Sequence, residues 1–282
     1  MDNSTIQMLP FTACKRLSTI HDAIVFKHPE FFTQKHITIV QKMMTFTANK
    51  ADHIIADSFS TKKDLLETFS KLKDENISVI HLAPSFIFQK SSKNKIADFV
   101  KRHNLPKRYF LSLATQEPRK NLKNLIKAFQ QFRLTSSYDD IGLVLVGGKG
   151  WLNSGVEDAQ NKKGIFHLGF LEDELLPLLY SGALAFIYPS FYEGFGLPVL
   201  EAMACGRPII TSQNSSLPEV AGDSAIYVDP YSVDSIKNAI RQITDSAKLQ
   251  EELSKAAIQK SKEFSWEKTA EQTESVYEML LD

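Results

Sequence analysis

Apolar residues recur along this chain at two spacings. Tyr109-Phe-Leu-Ser-Leu113, Leu143-Val-Leu-Val146, Ile165-Phe-His-Leu168, Leu184-Ala-Phe-Ile-Tyr188, Pro208-Ile-Ile210 and Ala225-Ile-Tyr-Val228 are short apolar runs, the pattern of strands buried on both faces. Between them the spacing changes to three and four, with Leu122, Leu125, Ile126 and Phe129 inside 122–132 and Leu175, Leu176 and Leu179 inside 172–180. The alternation predicts an α/β fold in which helices cover a parallel sheet, and six strands suffice for a doubly wound domain. Phe264-Ser-Trp266 to Leu281 reads as a terminal helix with Ser265 as its cap. Residues 90–108 carry Lys90, Lys93, Lys95, Lys101, Arg102, Lys107 and Arg108 against only Asp98; they read as a solvated interdomain linker, with contact to an acidic lipid surface or a phosphorylated acceptor as the alternative.

The most chemically specific stretch is Phe191-Tyr-Glu-Gly-Phe-Gly-Leu-Pro-Val-Leu-Glu201. It follows an apolar run that ends at Pro189 and Ser190, and the next helix is expected to start near Gly196. Gly194 and Gly196 permit a sharp turn that brings unpaired N–H groups to an anion at the helix's positive end, so phosphate is the natural guest. Glu193 lies before the turn and Glu201 beyond it, too far apart for one acid/base pair. Carboxylates accept hydrogen bonds from sugar hydroxyls, so one at each end of a phosphate cradle suits a nucleotide sugar. Read alone, the same spacing is also satisfied by an exposed helix glutamate and an ordinary loop charge.

Composition excludes little. The chain has 282 residues, 43% of them hydrophobic, and equal numbers of basic and acidic side chains, 33 each. Two domains are expected, and no overall field steers the chain toward nucleic acid. Cys14 and Cys205 form no disulfide framework, the seven histidines show no metal-ligand spacing, and no basic-then-apolar leader or 18-residue apolar run occurs. These features predict a cytoplasmic protein without a resident metal. In a fold of this kind the ligand lies beyond the carboxyl ends of the strands, where the Glu193 loop and the Glu117-Pro-Arg-Lys120 loop both fall.

The segment from Glu193 to Glu201, continued by Ala-Met-Ala-Cys-Gly-Arg-Pro-Ile-Ile210, resembles the E-x7-E signature of GT-B glycosyltransferases, particularly the retaining GT4 family. Leu168–Gly182, Ser215–Gly222 and Ala225–Pro230 resemble its neighbouring segments, and Glu117-Pro-Arg-Lys-Asn121 resembles its phosphate-binding basic pair. The likeness covers nearly all of 105–282 and, more weakly, 17–88. There, Arg16–Ile20 followed by His21-Asp22 resembles the strand and His-Asp motif midway through the family's N-terminal domain, while Ala51–Ser60 and Ile77–Leu82 resemble its later segments.

The resemblance implies a C-terminal Rossmann-like doubly wound sheet plus an incomplete N-terminal Rossmann-like domain. The expected boundaries are 1–90 for the partial N-terminal, acceptor-side domain and 91–264 for the nucleotide-sugar domain. A final helix at 265–282 is expected to pack back on the first. What the family places before the His-Asp strand has no counterpart, which would leave an open sheet edge unless another polypeptide or a second copy covers it. The implied reaction moves a hexosyl group from a nucleotide diphosphate sugar to an acceptor hydroxyl with retention and without a metal cofactor. GDP-mannose is the favoured donor type and a glycan or lipid-linked molecule the acceptor. The enzyme would be cytoplasmic or peripheral at the inner membrane face.

By the same resemblance Lys120 and Arg119 neutralise the diphosphate, and backbone of Gly194, Phe195, Gly196 and Leu197 meets phosphate. Glu201 would bind the ribose and Glu193 the hexose. His21 would approach the transferred sugar with Asp22 orienting it, and Ser58 would be a loop residue near the site. Where many members have Gly-Arg, this chain has Ala114-Thr115. Gly147-Gly148 reads as a turn after a strand, and His167 and Cys205 as core residues. Two readings stay open: an active hexosyltransferase, or a nucleotide-sugar-binding subunit or remnant without catalysis. A dehydrogenase is disfavoured, because no strand-linked G-x-G-x-x-G occurs.

Overall fold

The computed structural model describes residues 14–113, 117–134, 138–148 and 162–281. The chain divides into two compact units. Unit 1 comprises Met1–Leu82, Glu193–Phe195 and Ser265–Asp282; unit 2 comprises Ala83–Tyr192 and Gly196–Phe264.

Unit 1 runs β1 (Leu17–Ile20), α1 (Ile24–Lys27), α2 (Gln34–Lys50), β2 (His53–Ala56), α3 (Phe59–Thr68) and β3 (Ile77–Val79). The three strands are parallel in the order β1-β2-β3. The central strand, His-Ile-Ile-Ala, is buried throughout, as its uninterrupted apolar core requires. Helix starts are set by hydroxyls: Thr33 accepts from the His36 N–H and Ser58 from the Thr61 N–H. One sheet face packs Ile20, Ile54 and Ala56 against Met44, Ala48 and Leu65.

Unit 2 begins with α4 (Lys93–Arg102) and β4 (Arg108–Leu113), then α5 (Leu122–Leu134), β5 (Ile141–Val146), β6 (Ile165–His167) and α6 (Leu176–Gly182). It continues through β7 (Phe186–Tyr188), α7 (Leu197–Ala204), β8 (Ile209–Ser212), α8 (Leu217–Ala221), β9 (Ala225–Val228), α9 (Val233–Asp245) and α10 (Ala247–Ser261). All six strands are parallel, in the order β6-β5-β4-β7-β8-β9. The succession runs outward from β4 in one direction and from β7 in the other, so a topological switch point lies between them. The apolar stripe read on 122–132 is the buried face of α5, which packs Leu125, Ile126 and Phe129 with Ile236, Ile240 and Ile243 of α9.

Residues 90–108 are not a linker. They form α4 and its connection to β4, with Phe99 buried and its ring 4.2 Å from that of His103. The lysines obscured a helical set, Ile96, Phe99 and Val100, whose stripe packs on α6, where Ile96 and the Tyr109 hydroxyl crowd Gly182. The last helix, α11 (Trp266–Leu281), belongs to unit 1. It lays Val276 and Leu280 on the Leu17, Ile55 and Ile80 face, and its Thr269 hydroxyl donates to the His81 carbonyl at 2.7 Å.

Candidate active site

In unit 2 the switch point opens into a hollow. Leu113, Val146 and Tyr188 line it from the carboxyl ends of β4, β5 and β7, and Lys120, Asp173 and Pro198 from the following loops and α7. Gly147, with φ +143, ends β5 at its edge, and its N–H donates to the Gly169 carbonyl at 2.8 Å. Phe170 lines the hollow with 80% of its surface exposed, a flat apolar face for its size.

Lys120 is placed by the turn that carries it. Pro118–Lys120 is a single 3-10 turn, closed by Asn121 in the left-handed region at φ +58. The buried Asn121 amide donates to the Pro189 and Pro230 carbonyls at 2.9 and 2.7 Å, pinning the turn to the ends of β7 and β9. The Lys120 ammonium then lies 2.5 Å from the Tyr188 hydroxyl and 5.0 Å from the centre of its ring. Arg119 donates to the Tyr192 carbonyl at 2.9 Å and pairs with Glu117 at 3.4 Å, while its own carbonyl accepts from the Phe191 N–H. It ties the Lys120 loop to the segment that leads to Glu193.

Helix α7 starts at Gly196, whose φ of +111 places it where a side chain is strained, and a Cβ there would stand 3.0 Å from Leu217. The Gly196 carbonyl takes the Val199 and Leu200 N–H groups, and Pro198 contributes none, so the Leu197 N–H heads the helix's positive end. One turn on, Glu201 accepts from the Tyr180 hydroxyl at 2.9 Å. Burial pushes the Glu201 carboxyl up to about 7; the Tyr180 hydrogen bond opposes the rise, and the negative charge of Asp173 adds to it. Cys205 is fully buried, its thiol pushed up to about 12 mainly by burial, and His167 is half-buried, its basicity lowered by the same cause.

In unit 1, His21 Nδ1 lies 2.6 Å from Asp57 Oδ2, with Asp57 buried and His21 half-exposed. That hydrogen bond raises the His21 pKa above its ordinary value against the lowering effect of burial, and the Asp57 and Asp22 charges add to the rise. The expectation that Asp22 orients His21 is corrected here. The hydrogen-bonding carboxylate is Asp57, and the Asp22 carboxylate accepts from the Ile24 N–H at the start of α1.

Glu193–Phe195 groups with the same unit, and Glu193 and Phe195 are both buried. A Cβ on Gly194 would fall 2.3 Å from the His21 carbonyl oxygen, so only glycine lets this loop lie against the His21 backbone. Ser58, expected in a loop, is the fully buried cap of α3, and its hydroxyl donates to the Gly194 carbonyl at 2.6 Å.

The sequence-predicted residues thus fall into two groups. Lys120, Arg119, Gly196, Leu197 and Glu201 belong to unit 2, and His21, Glu193, Gly194 and Phe195 to unit 1. Ala114-Thr115 lies outside the described residues. Sequence reasoning missed Asp57, Tyr180, Tyr188 and Asp173. Asp57 and Tyr188 were detectable as polar groups at strand ends; Tyr180 and Asp173 lie in the family-like stretch Leu168–Gly182, where nothing in the sequence singles out either one. Among the described residues no cluster of His, Cys, Asp and Glu is arranged to hold a metal ion, and no helix is long and apolar enough to cross a membrane.

The family model for glycosyl transferases group 1 matches residues 93–260, more than half the chain. The chain belongs to the glycosyl transferases group 1 family. Among relatives of this family, O-antigen chain mannosyltransferase B of Escherichia coli is 33% identical over 277 residues, which is 96% of this chain and 72% of that protein. O-antigen chain mannosyltransferase RfbU of Salmonella typhimurium is 31% identical over 80% of this chain, which spans 60% of its length. Of solved glycosyltransferase structures, Thermosynechococcus elongatus sucrose-phosphate synthase aligns with a TM-score of 0.79 at 23% identity, over 98% of this chain and 69% of that one. Anabaena HepE in complex with UDP-glucose aligns with a TM-score of 0.80 at 18% identity, over 94% and 72%. These likenesses establish the GT-B class of fold, and the glycosyltransferase fold here is α/β with Rossmann-like parallel strands.

Proposed function

We propose that this glycosyltransferase moves a mannosyl group from GDP-mannose to a hydroxyl of a growing surface polysaccharide, with retention at the anomeric carbon. The observation that carries the reading is the unit 2 hollow at the switch point, with Lys120 on one wall and the start of α7 on another. A preplaced ammonium and a helix's positive end both stabilise charge building up on a departing nucleoside diphosphate. Relatives matching over most of the chain are named mannosyltransferases, which favours mannose. Asp173 favours guanine: a carboxylate accepts from the adjacent N1–H and N2–H donors of that base, whereas uracil and thymine offer a single ring N–H.

The roles divide by chemistry. Lys120 meets the diphosphate and Arg119 braces it through the same loop, and backbone at Gly196 and Leu197 contributes polar contacts around it. Glu201, ionised, accepts from the ribose hydroxyls. Glu193 accepts from hexose hydroxyls, and His21 donates to oxygen near the reacting carbon. No second poised carboxylate is assigned as base, which fits a donor phosphate oxygen taking the acceptor's proton.

The test is incubation with radiolabelled GDP-mannose and a lipid-linked oligosaccharide acceptor. Labelled, mannosidase-sensitive product supports the proposal. Saturable GDP binding with no product, even with neighbouring transferases supplied, supports the other reading, a nucleotide-sugar-binding subunit.

A further inference from the structure

The junction of β2 with the first turn of α3 concentrates buried polar groups whose bonds go beyond capping that helix. Asp57 is 2% exposed, Ser58 0% and Thr61 2%. Burying polar groups is costly unless each is bonded, and an ionised carboxylate is the costliest of them. Their bonds run in two directions. Asp57 Oδ2 reaches His21 Nδ1 at 2.6 Å, while its Oδ1 makes no hydrogen bond among the described residues. Ser58 donates to the Gly194 carbonyl at 2.6 Å, and the Thr61 hydroxyl lies 3.2 Å from both that oxygen and the His21 carbonyl. One turn therefore grips the His21 ring, the His21 backbone and the loop headed by Glu193.

We propose that Asp57, Ser58 and Thr61 form a positioning element that holds His21 and the Glu193 loop in one fixed relation for sugar transfer. The inference rests on the reading of His21 and Glu193 as sugar-contacting groups. With Nδ1 committed to Asp57, the proton on that nitrogen is fixed and Nε2 is the nitrogen that meets a ligand. In the cation, Nε2–H donates to a sugar or phosphate oxygen. Among the described residues the charged groups facing the ring are Asp57 from the turn and Asp22 from its own loop, with Glu193 heading the adjoining loop; α2 faces it with Val40, Met43 and Met44. The hydroxyls act on the other arm. Gly194 has no Cβ to spare against His21, so two donors on its carbonyl fix the position from which Glu193 projects.

The experiment follows the His21 ring by NMR in the whole chain and mannosyl transfer in the same preparations. In the unaltered protein the neutral ring is expected as the Nδ1–H tautomer; an Nε2–H tautomer would overturn the proposal without any variant. In Asp57→Asn the His21 titration should fall by about one pH unit or more. The alkaline limb of the kcat profile should move down with it, and kcat should drop at least about tenfold with donor KM little changed. Thr61→Val should lower kcat while leaving the His21 titration in place. An Asp57→Asn enzyme with unaltered titration and pH profile, beside an inactive His21→Ala, would overturn the positioning claim alone. A His21→Ala enzyme with full turnover would overturn the assignment of His21 itself.

Discussion

The Tyr180 hydroxyl, buried in α6, donates to the Glu201 carboxylate of α7 at 2.9 Å. The bond holds the proposed ribose ligand in place while burial raises its pKa to about 7 from 4.5. The folded pKa is the higher one, so between these values the native state keeps a proton that the unfolded chain has lost. This contribution to stability is complete below the lower value and is lost as pH rises through the upper one, about 2 to 4 kcal/mol in all. Glu201→Gln should flatten the decline of Tm across this interval, measured by calorimetric scans at successive pH values. Nucleotide affinity of the unaltered protein should rise over the same range as the carboxylate ionises.

On the proposed reading Lys120 meets phosphate rather than the base or ribose. Replacing it with alanine should weaken GDP binding by about 1.5 to 3 kcal/mol, the worth of a charge-assisted hydrogen bond. Guanosine binding should be unaffected. Titration calorimetry with the two ligands separates these outcomes; equal losses for both would place Lys120 outside the diphosphate site.

Gly194→Ala must move either the loop or the His21 backbone, because the new Cβ would stand 2.3 Å from a carbonyl oxygen. A stability loss of about 1 to 3 kcal/mol is expected, with reduced transfer. Gly148→Ala, where nothing lies within 4 Å, serves as the control and should be neutral. Urea unfolding of the pair gives the comparison.

Phe99 makes 90–108 a packed segment. Phe99→Ala should cost about 3 to 5 kcal/mol and open this segment to trypsin, which has seven basic sites there. A protease-sensitive segment in the unaltered chain would contradict the packing of α4 on α6.

Much of unit 2 was legible because buried parallel strands announce themselves as apolar runs. The runs at 109–113, 143–146, 165–168, 184–188, 208–210 and 225–228 all coincide with strands of its sheet. Helix α4 is hidden in the sequence because seven basic residues across 90–108 mask the helical spacing of Ile96, Phe99 and Val100. Gly196 was visible at the start of α7 because only glycine tolerates that backbone. Partnerships at long range were not. His21 meets Asp57 across 36 residues and Ser58 meets Gly194 across 136, and no periodicity encodes such separations. The adjacent Asp22 offered a nearer and mistaken partner.

The central claim is that unit 2 grips a nucleoside diphosphate, with Lys120 in the hollow meeting phosphate and Glu201, one turn into α7, meeting ribose. Isothermal titration of the purified chain with GDP, UDP, ADP and dTDP, repeated on Lys120→Ala and Glu201→Ala, tests it most directly. Preferential GDP binding that both substitutions weaken at least about tenfold is the predicted result. Binding of no nucleotide, or GDP binding that both variants retain in full, would contradict it.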